Sequence, residues 1–227
     1  MSPQRPFIRL VLAVSLDGRL APPQGGAAQI GGRGDRRLLE EALAWADAAL
    51  LGAETLRRHG TTCLIHAPDL LDARASEGRS PQPTALVASR SGSIPEGLPF
   101  FQQPLERWLL ASAAGATHAP APAPVGFDRR LALTSWSPTL QELAQLGIAR
   151  LVVLGGAALA GSLLAEGLLD ELQLTICPRL LGGPHTWLPA GVALEPAVWE
   201  LREQRALEGG ELLLRYGCSL SHGCSVS

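Results

Sequence analysis

Short apolar segments alternate with helical patterns along most of this chain, and that alternation restricts its fold more than any other feature. Runs of β-branched and aliphatic residues predict buried strands at 7–15, 48–52, 84–89, 107–112, 150–156 and 171–177. Apolar residues at helical spacing predict helices at 35–47, 139–146 and 157–169, with one further turn at 54–58. Because strands that alternate with helices form α/β sheets, we expect a mostly parallel sheet with flanking helices.

A glycine pair near the end of the chain predicts a different connection. Glu208-Gly209-Gly210 separates strand patterns at 199–207 and 211–216, which is a strong hairpin signal. We therefore expect an antiparallel C-terminal hairpin at the edge of the sheet, which makes the sheet mixed.

The length of 227 residues suits a single domain, 1–227, with its core at about 7–217. Proline and glycine predict that residues 60–82 form a loop. The Ala/Pro-rich stretch 113–126 is expected to be a flexible loop, and the polar residues 218–227 a frayed tail.

Composition excludes several classes of function. All 19 basic residues are arginine and the net charge is −2, which argues against nucleic-acid or anionic-membrane binding and excludes lysine Schiff-base chemistry. The four cysteines form no C-x-x-C pair, so we expect no metal site. The first apolar run is ten residues long and contains Arg9, too short to cross a bilayer. We expect a cytoplasmic protein.

The most informative segment is Gly155-Gly156, between a buried strand and a helix. Two residues without side chains let the backbone approach a diphosphate, and a helix start offers unpaired N–H groups. A tight turn without a ligand is the alternative, since a Gly-Gly turn is much less specific than G-x-G-x-x-G.

Other segments also end strands, at 13–18, 51–53 and 89–90. Ligands of α/β sheets collect beyond the carboxyl ends of strands, so these segments and the glycine pair are predicted to meet in one cleft. Ser89-Arg90 suits a 2′-phosphate on an adenosine ribose, with an exposed loop arginine as the alternative. A His/Cys nucleophilic dyad near Cys63 is conceivable but has no orienting carboxylate nearby in sequence.

Six segments, in this order, resemble the pyrimidine reductase of riboflavin biosynthesis, a family with a dihydrofolate-reductase-like fold. They are Leu12-Ala-Val-Ser-Leu-Asp-Gly-Arg19, Ile30-Gly-Gly32, Ala46-Asp-Ala-Ala-Leu-Leu-Gly-Ala-Glu-Thr-Leu56, Val87-Ala-Ser-Arg90, Leu154-Gly-Gly-Ala-Ala-Leu-Ala160, and Gly167-Leu-Leu-Asp-Glu-Leu172 running into Ile176-Cys-Pro-Arg-Leu-Leu-Gly-Gly183. The resemblance covers about residues 7–217. No single motif is decisive, but six in order are fairly specific.

The resemblance implies an NADPH cofactor in an extended pose across one side of the sheet. The cofactor-binding residues it implies are Ala13, Asp17, Gly31, Gly52, Ala53, Thr55, Ser89, Arg90, Gly155, Gly156, Ala157 and Leu159. Residues 13 and 52–53 would approach the nicotinamide, 89–90 the adenosine phosphate and 155–159 the diphosphate. The reaction implied is hydride transfer to the ribose C1 of a phosphorylated ribosylamino-pyrimidine, which opens the sugar to a ribityl chain.

Three positions depart from the family pattern, all on the substrate side. Where the family has an Asp-Asp-Pro segment, this chain has residues 57–62. Leu43 stands near the place where the family has an arginine that contacts the substrate phosphate, and Leu154 stands where the family has an acidic residue. We expect Arg57, Arg58 and His59 to supply a replacement grip on the substrate phosphate, since their charges suit an anion.

The resemblance therefore predicts an NADPH-dependent reductase acting on 5-amino-6-(5-phosphoribosylamino)uracil or its diamino-pyrimidinone counterpart. One alternative is a reductase of another pterin-like or pyrimidine-like ring. The other is a non-catalytic NADPH-binding sensor or scaffold. We expect a homodimer, because the family pairs its sheets and the hairpin at 199–216 offers an apolar edge. The bifunctional family members carry an N-terminal zinc deaminase, and with six residues before the first strand we expect another protein to perform deamination.

Overall fold

A computed structural model describes residues 5–26, 29–112, 124–194 and 197–219. The loop expected at 113–126 and the tail expected at 218–227 lie almost wholly outside these ranges.

The described residues form nine strands, five α-helices and two short 3₁₀ turns. The strands are β1 (Phe7–Ser15), β2 (Ala48–Gly52), β3 (Thr84–Ser89), β4 (Arg107–Ala111), β5 (Arg129–Ala132), β6 (Arg150–Val153), β7 (Glu171–Cys177), β8 (Val198–Ala206) and β9 (Leu212–Ser219). The helices are α1 (Arg33–Trp45), α2 (Ala53–His59), α3 (Pro68–Ser76), α4 (Trp136–Gln145) and α5 (Ala157–Ala165), and the 3₁₀ turns are Pro99–Gln102 and Glu208–Gly210.

Within the described residues the strands form one sheet in the order β5-β4-β3-β2-β6-β1-β7-β9-β8. The pairs from β5 to β7 are parallel, whereas β9 pairs antiparallel with β7 and with β8. The mixed, mostly parallel sheet and the C-terminal hairpin are therefore confirmed. Strand β1 lies between β6 and β7, which places its carboxyl end beside the glycine pair that follows β6.

Helices cover both faces of the parallel strands, which is why those strands are almost continuously apolar. On one face, Leu10 and Val153 belong to a buried cluster with Leu140 of α4 and Leu163 of α5. On the other face, α1 packs against β1, β2 and β6. The cleft described below opens on the α1 face, at the strand ends.

The prediction of a loop at 60–82 is wrong, because helix α3 lies within this range. Pro68 occupies the first turn of α3, where its missing N–H costs nothing, so here proline begins a helix. Contacts with α1 stabilise α3. The Glu40 carboxylate accepts hydrogen bonds of 2.8 Å from the N–H groups of residues 66 and 67, and Arg74 donates to the carbonyls of residues 44 and 46.

Helix ends differ from the prediction by up to four residues. Helix α1 begins at Arg33 rather than Asp35, α4 begins at Trp136, and α5 ends at Ala165 rather than at residue 169. The short strand β5 was not predicted. Among the residues described, no helix is long and apolar enough to span a membrane.

Candidate active site

An open cleft of about 830 Å³ lies at the carboxyl ends of β1, β2 and β6, where α/β sheets bind ligands. Of the residues named above for cofactor or substrate, those that line it are Ala13, Gly31, Gly52, Thr55, Arg58, His59, Gly155, Gly156, Ala157 and Leu159. The topology thus brings together residues from four separate segments of the chain. Among the described residues, no group of three metal-ligating side chains is present in it or elsewhere.

Three glycines form a ledge along one side of the cleft, contributed by Gly52 at the end of β2 and by Gly155 and Gly156 after β6. The Gly52 N–H donates to the Gly155 carbonyl oxygen at 3.2 Å, which joins the two segments. Gly155 has φ +86°, a conformation that favours glycine, and the peptide between residues 155 and 156 is cis. A Cβ atom on Gly156 would lie 2.9 Å from Thr55 Oγ1. At Gly155 and Gly156 the ledge therefore has to be bare backbone.

Helix α5 begins directly beyond this ledge. Its N-cap is Gly156, which has no side chain that could accept the first N–H groups, and the first residues of the helix, Ala157 to Leu159, line the cleft. The first N–H groups of a helix have no partner within it and carry a partial positive charge. The bare ledge and this helix start fit the diphosphate of a dinucleotide, which needs close backbone approach and N–H donors.

A partly buried carboxyl group, Asp35 in the first turn of α1, lines the opposite part of the cleft. Its Oδ2 atom lies 2.0 Å from the place where a Cβ atom on Gly31 would stand, so Gly31 provides room for the carboxyl group. The Thr175 hydroxyl on β7 donates a hydrogen bond to it. The sequence predicted Asp35 only as the start of a helix, and its place in the cleft was not predicted.

The cap of α1 is Glu211, which directly precedes β9. Its carboxylate accepts hydrogen bonds from the N–H groups of Gly32 at 2.5 Å and Asp35 at 3.0 Å. These partners lie 179 and 176 residues apart in sequence, so no local pattern identifies them. Helix α1 has no capping hydrogen bond from the side chain of its own N-cap residue.

Several pKa values in this region are raised by burial. The pKa of Asp35 is raised mainly by burial and also by the negative charge of Glu211, while the Thr175 hydrogen bond opposes the shift. Burial, with Asp35 and Glu211 nearby, raises the pKa of Cys177 to about 12. Burial and Asp35 also raise the pKa of Cys63. Neither thiol is thus activated as a nucleophile, because nucleophilic cysteines need a lowered pKa.

A basic rim closes the end of the cleft beside α2. Arg58, His59 and His185 line it, and a Cβ atom on Gly25 would lie 3.3 Å from His185 Nε2 and 3.9 Å from Arg58 Nη1. Arg57 lies elsewhere, because its Nη2 donates to the Ser93 carbonyl oxygen at 2.7 Å. Of the three residues expected to bind the substrate phosphate, Arg58 and His59 line the cleft. His185 also lines it, and the sequence did not predict this residue.

Five expected residues lie outside the lining of the cleft; besides Arg57 they are Asp17, Ala53, Ser89 and Arg90. Asp17 accepts hydrogen bonds from the N–H groups of Leu181 at 3.1 Å and Gly182 at 2.7 Å, which ties the end of β1 to a later loop. Ala53 and Ser89 are buried, and the Ser89 hydroxyl accepts the Gly92 N–H at 3.1 Å. Arg90 is exposed just past β3.

Comparison with known proteins gives one family. The model of the RibD C-terminal domain matches residues 6–211. The chain is similar to two archaeal proteins named 2,5-diamino-6-ribosylamino-4(3H)-pyrimidinone 5′-phosphate reductase. It is 24% identical to that of Archaeoglobus fulgidus over 79% of this chain and 83% of the relative, and 28% identical to that of Methanothermobacter thermautotrophicus over 79% and 81%. It is 27% identical to the riboflavin biosynthesis protein RibD of Escherichia coli, over 78% of this chain and 49% of that protein.

Solved structures show the same fold. A pyrimidine reductase-like protein from Corynebacterium diphtheriae superposes with a TM-score of 0.77 at 20% identity, covering 94% of this chain and 92% of that one. Acinetobacter baumannii RibD gives a TM-score of 0.79 at 24% identity, over 96% and 60%. Enterococcus faecalis dihydrofolate reductase gives 0.54 at 13% identity, over 94% and 96%. The dihydrofolate-reductase-like fold expected from the sequence is confirmed.

Proposed function

Because this chain belongs to the RibD C-terminal domain family, we propose that it is an NADPH-dependent reductase of riboflavin biosynthesis. Its substrate is 2,5-diamino-6-ribosylamino-4(3H)-pyrimidinone 5′-phosphate, the compound in the names of the two archaeal relatives, or the corresponding 5-amino-uracil. The product carries a ribityl chain, formed when a hydride reaches the ribose C1. The observation that carries this proposal is the glycine ledge continuous with the start of α5 inside one cleft.

The ledge and the helix start would hold the diphosphate of NADPH. Gly155 and Gly156 allow close backbone approach, and the N–H groups at the start of α5 act as donors to the phosphate oxygens. Gly52 and Ala13, small residues that line the cleft at the ends of β2 and β1, would form the floor beneath the nicotinamide ring. When bound, NADPH supplies the hydride, and the protein supplies orientation and shields the reacting atoms from water.

The 2′-phosphate of the adenosine ribose would meet Arg90. This guanidinium is exposed beyond β3, two strands from β6, so an extended dinucleotide that starts at the ledge runs toward it. Selection of NADPH over NADH would then depend on one arginine, since the neighbouring Ser89 hydroxyl is buried and already bonded.

The basic rim would bind the 5′-phosphate of the substrate. Arg58 and His185 approach the cleft from different segments, and two donors converging from different directions suit a phosphate group. This rim replaces the family's phosphate-binding arginine, whose place near Leu43 is fully buried in this fold.

We also propose a homodimer that pairs through the hairpin of β8 and β9. Strand β8 is an edge strand, and its Val198 and Leu201 side chains are 71% and 45% exposed. An unpaired apolar edge strand is prone to association, which a specific dimer would satisfy.

The deciding experiment measures NADPH oxidation by the full chain with each of the two pyrimidine phosphates, and identifies the ribitylamino product by mass spectrometry. We expect saturable turnover with one of them and a much lower rate with NADH. Tight NADPH binding without turnover on either compound would contradict the proposed pyrimidine reductase, and absence of turnover on related pterin-like rings as well would favour the sensor or scaffold.

A further inference from the structure

We propose that Asp35 is the catalytic acid of this cleft and delivers the proton that accompanies hydride transfer to the substrate. The inference rests on the proposed reductase function and adds to it the source of the proton. Its structural basis is the position of the Asp35 carboxyl group, which lines the cleft and is held between Gly31 and Thr175.

The register of the sheet places Asp35 at the reacting end of the cleft. Thr175 on β7 is paired with Ala13 on β1, and directly paired residues face the same side of a sheet. Thr175 is 1% exposed and donates to Asp35, whereas Ala13 lines the cleft. The carboxyl group therefore lies on the same face and at the same level as the floor proposed for the nicotinamide ring.

The carboxyl group is also fixed in position from two directions. A Cβ atom on Gly31 would lie 2.0 Å from Oδ2 and 2.5 Å from Cγ of Asp35, so the bare backbone at Gly31 forms one wall around it. Its own N–H is bound by Glu211 at 3.0 Å, which fixes the first turn of α1. Such fixation on a rigid helix is what an acid needs in order to meet a reacting atom at a defined distance.

The surroundings favour the protonated form. Glu211 faces Asp35 from the position directly before β9, and Cys177 on β7 and Cys63 on the loop after α2 are neutral thiols. The charged groups around these two thiols are Arg36 and Glu40 on α1, which lower and raise the pKa of Cys63, and Arg179 after β7, which lowers the pKa of Cys177. No arginine contributes to the shift of Asp35 itself, so burial and Glu211 together retain its proton to higher pH than at an exposed aspartate.

The chemical step balances with one proton and one hydride. A new C–H bond forms at the ribose C1, and the bond between C1 and the ring oxygen breaks with its electron pair left on that oxygen. The ring oxygen takes the proton from Asp35 and becomes a hydroxyl, the sugar carbon is reduced, and the nicotinamide is oxidised. Water then reprotonates the Asp35 carboxylate before the next turnover.

The first test measures the protonation of the Asp35 carboxyl group in the absence of substrate and cofactor. In protein labelled with ¹³C at the aspartate carboxyl carbon, we expect one resonance with a raised titration midpoint that disappears in Asp35→Asn. Thr175→Val should raise that midpoint further, because a hydrogen bond to the charged form is lost, and Glu211→Gln should lower it. A midpoint of Asp35 at or below that of exposed aspartates would overturn the proposal.

The second test uses kinetics of the full chain at saturating NADPH. We expect Asp35→Asn to lower kcat by about 10²–10⁴-fold, the usual contribution of a general acid, with KM and the NADPH Kd changed little. Wild-type kcat should fall as pH rises through the carboxyl midpoint, and the variant should lose that dependence. Asp69→Asn, the same change at an exposed site on α3, is the matched control and should keep both rate and profile.

The outcomes distinguish a failure of the proposed role of Asp35 from a failure of the proposed reductase function. Turnover by wild type with an unchanged kcat and pH profile in Asp35→Asn overturns the acid and leaves the reductase standing. A loss confined to KM would make Asp35 a binding residue and also overturn the acid. Absence of turnover by wild type on either pyrimidine contradicts the reductase itself, and the acid with it.

Discussion

Thr55 Oγ1 lies 2.9 Å from the position that a Cβ atom on Gly156 would occupy, although one residue belongs to α2 and the other precedes α5. Real Cβ atoms essentially never approach an oxygen so closely, so a side chain at Gly156 must move Thr55 or the ledge. Because the ledge is where we place the diphosphate, this contact links backbone packing to cofactor binding.

We expect Gly156→Ala to weaken NADPH binding at least tenfold, or about 1.4 kcal/mol, because the new methyl group displaces the ledge and occupies the approach of the phosphates. Fluorescence titration with NADPH measures this change. The matched control is Gly97→Ala, where a Cβ atom would meet nothing within 4 Å.

The double variant Thr55→Ala/Gly156→Ala removes the contact with the hydroxyl and leaves the new methyl group in the cleft. We expect it to recover thermal stability without recovering NADPH affinity. Full recovery of affinity would mean that the ledge acts through Thr55 and that the diphosphate lies elsewhere.

Neighbouring arginines on α2 provide a second prediction. Arg58 lines the cleft, whereas Arg57 is bound to the Ser93 carbonyl oxygen. We expect Arg58→Ala to raise KM for the phosphorylated substrate about 10-fold or more by removing a charge-assisted contact of roughly 1.5–3 kcal/mol. We expect Arg57→Ala to leave KM within about twofold.

Steady-state kinetics with both variants measures this difference, and the dephosphorylated substrate is the second control. On that compound Arg58→Ala and wild type should have the same KM, because the contact is with the phosphate. An equal loss in both arginine variants would contradict the position assigned to the basic rim.

The fold could be predicted because the local amino-acid composition of each of these segments is typical of a buried strand. Residues 48–52 and 84–89 are short aliphatic runs between helical patterns, and the strands observed there have the same bounds. A run that is apolar on both faces fits a buried parallel strand and little else. Most of the residues expected to bind a cofactor line one cleft in the structure, because the glycines and small residues among them follow the ends of neighbouring strands.

The parts that were missed depend on contacts between distant segments. Asp35, Thr175 and Glu211 meet only after β7 and β9 pair beside α1, and nothing near any of them in sequence signals a shared site. The divergence of Arg57 and Arg58 follows from the helix, which turns about 100° per residue, so neighbours on α2 face different directions. Helix α3 was missed because its ends are stabilised by α1 rather than by its own residues.

That mutual stabilisation gives a third prediction. Arg74 is 3% exposed and its guanidinium donates to three carbonyls at the end of α1 and to the Ser80 carbonyl. We expect Arg74→Met to lower the free energy of unfolding by roughly 2–4 kcal/mol, because several buried carbonyl groups lose their donors. Urea denaturation measures it.

The control for Arg74 is another arginine of the same pair of helices. Arg37 on α1 forms ion pairs with Glu41 and Asp69, and its side chain is 44% exposed. Exposed pairs contribute little, so Arg37→Met should cost less than about 1 kcal/mol. If the two variants were equally stable, the carbonyls at the end of α1 would not depend on Arg74.

The last prediction concerns acid stability at the turn after β1. Hydrogen bonds from the Ser15 hydroxyl and from the N–H groups of Leu181 and Gly182 lower the pKa of Asp17 from its ordinary value of 3.8. A carboxylate whose pKa is lower in the folded state stabilises the fold at any pH above its pKa in the unfolded state, and this contribution falls as the pH drops below about 4.

We expect Asp17→Asn to be less stable than wild type near neutral pH and the difference in stability to shrink progressively below pH about 4. Urea denaturation at a series of pH values measures it, with Asp72→Asn on the exposed side of α3 as the matched control. A difference in stability that stayed constant across the acid range would show that the effect of Asp17 does not depend on the charge of its carboxylate.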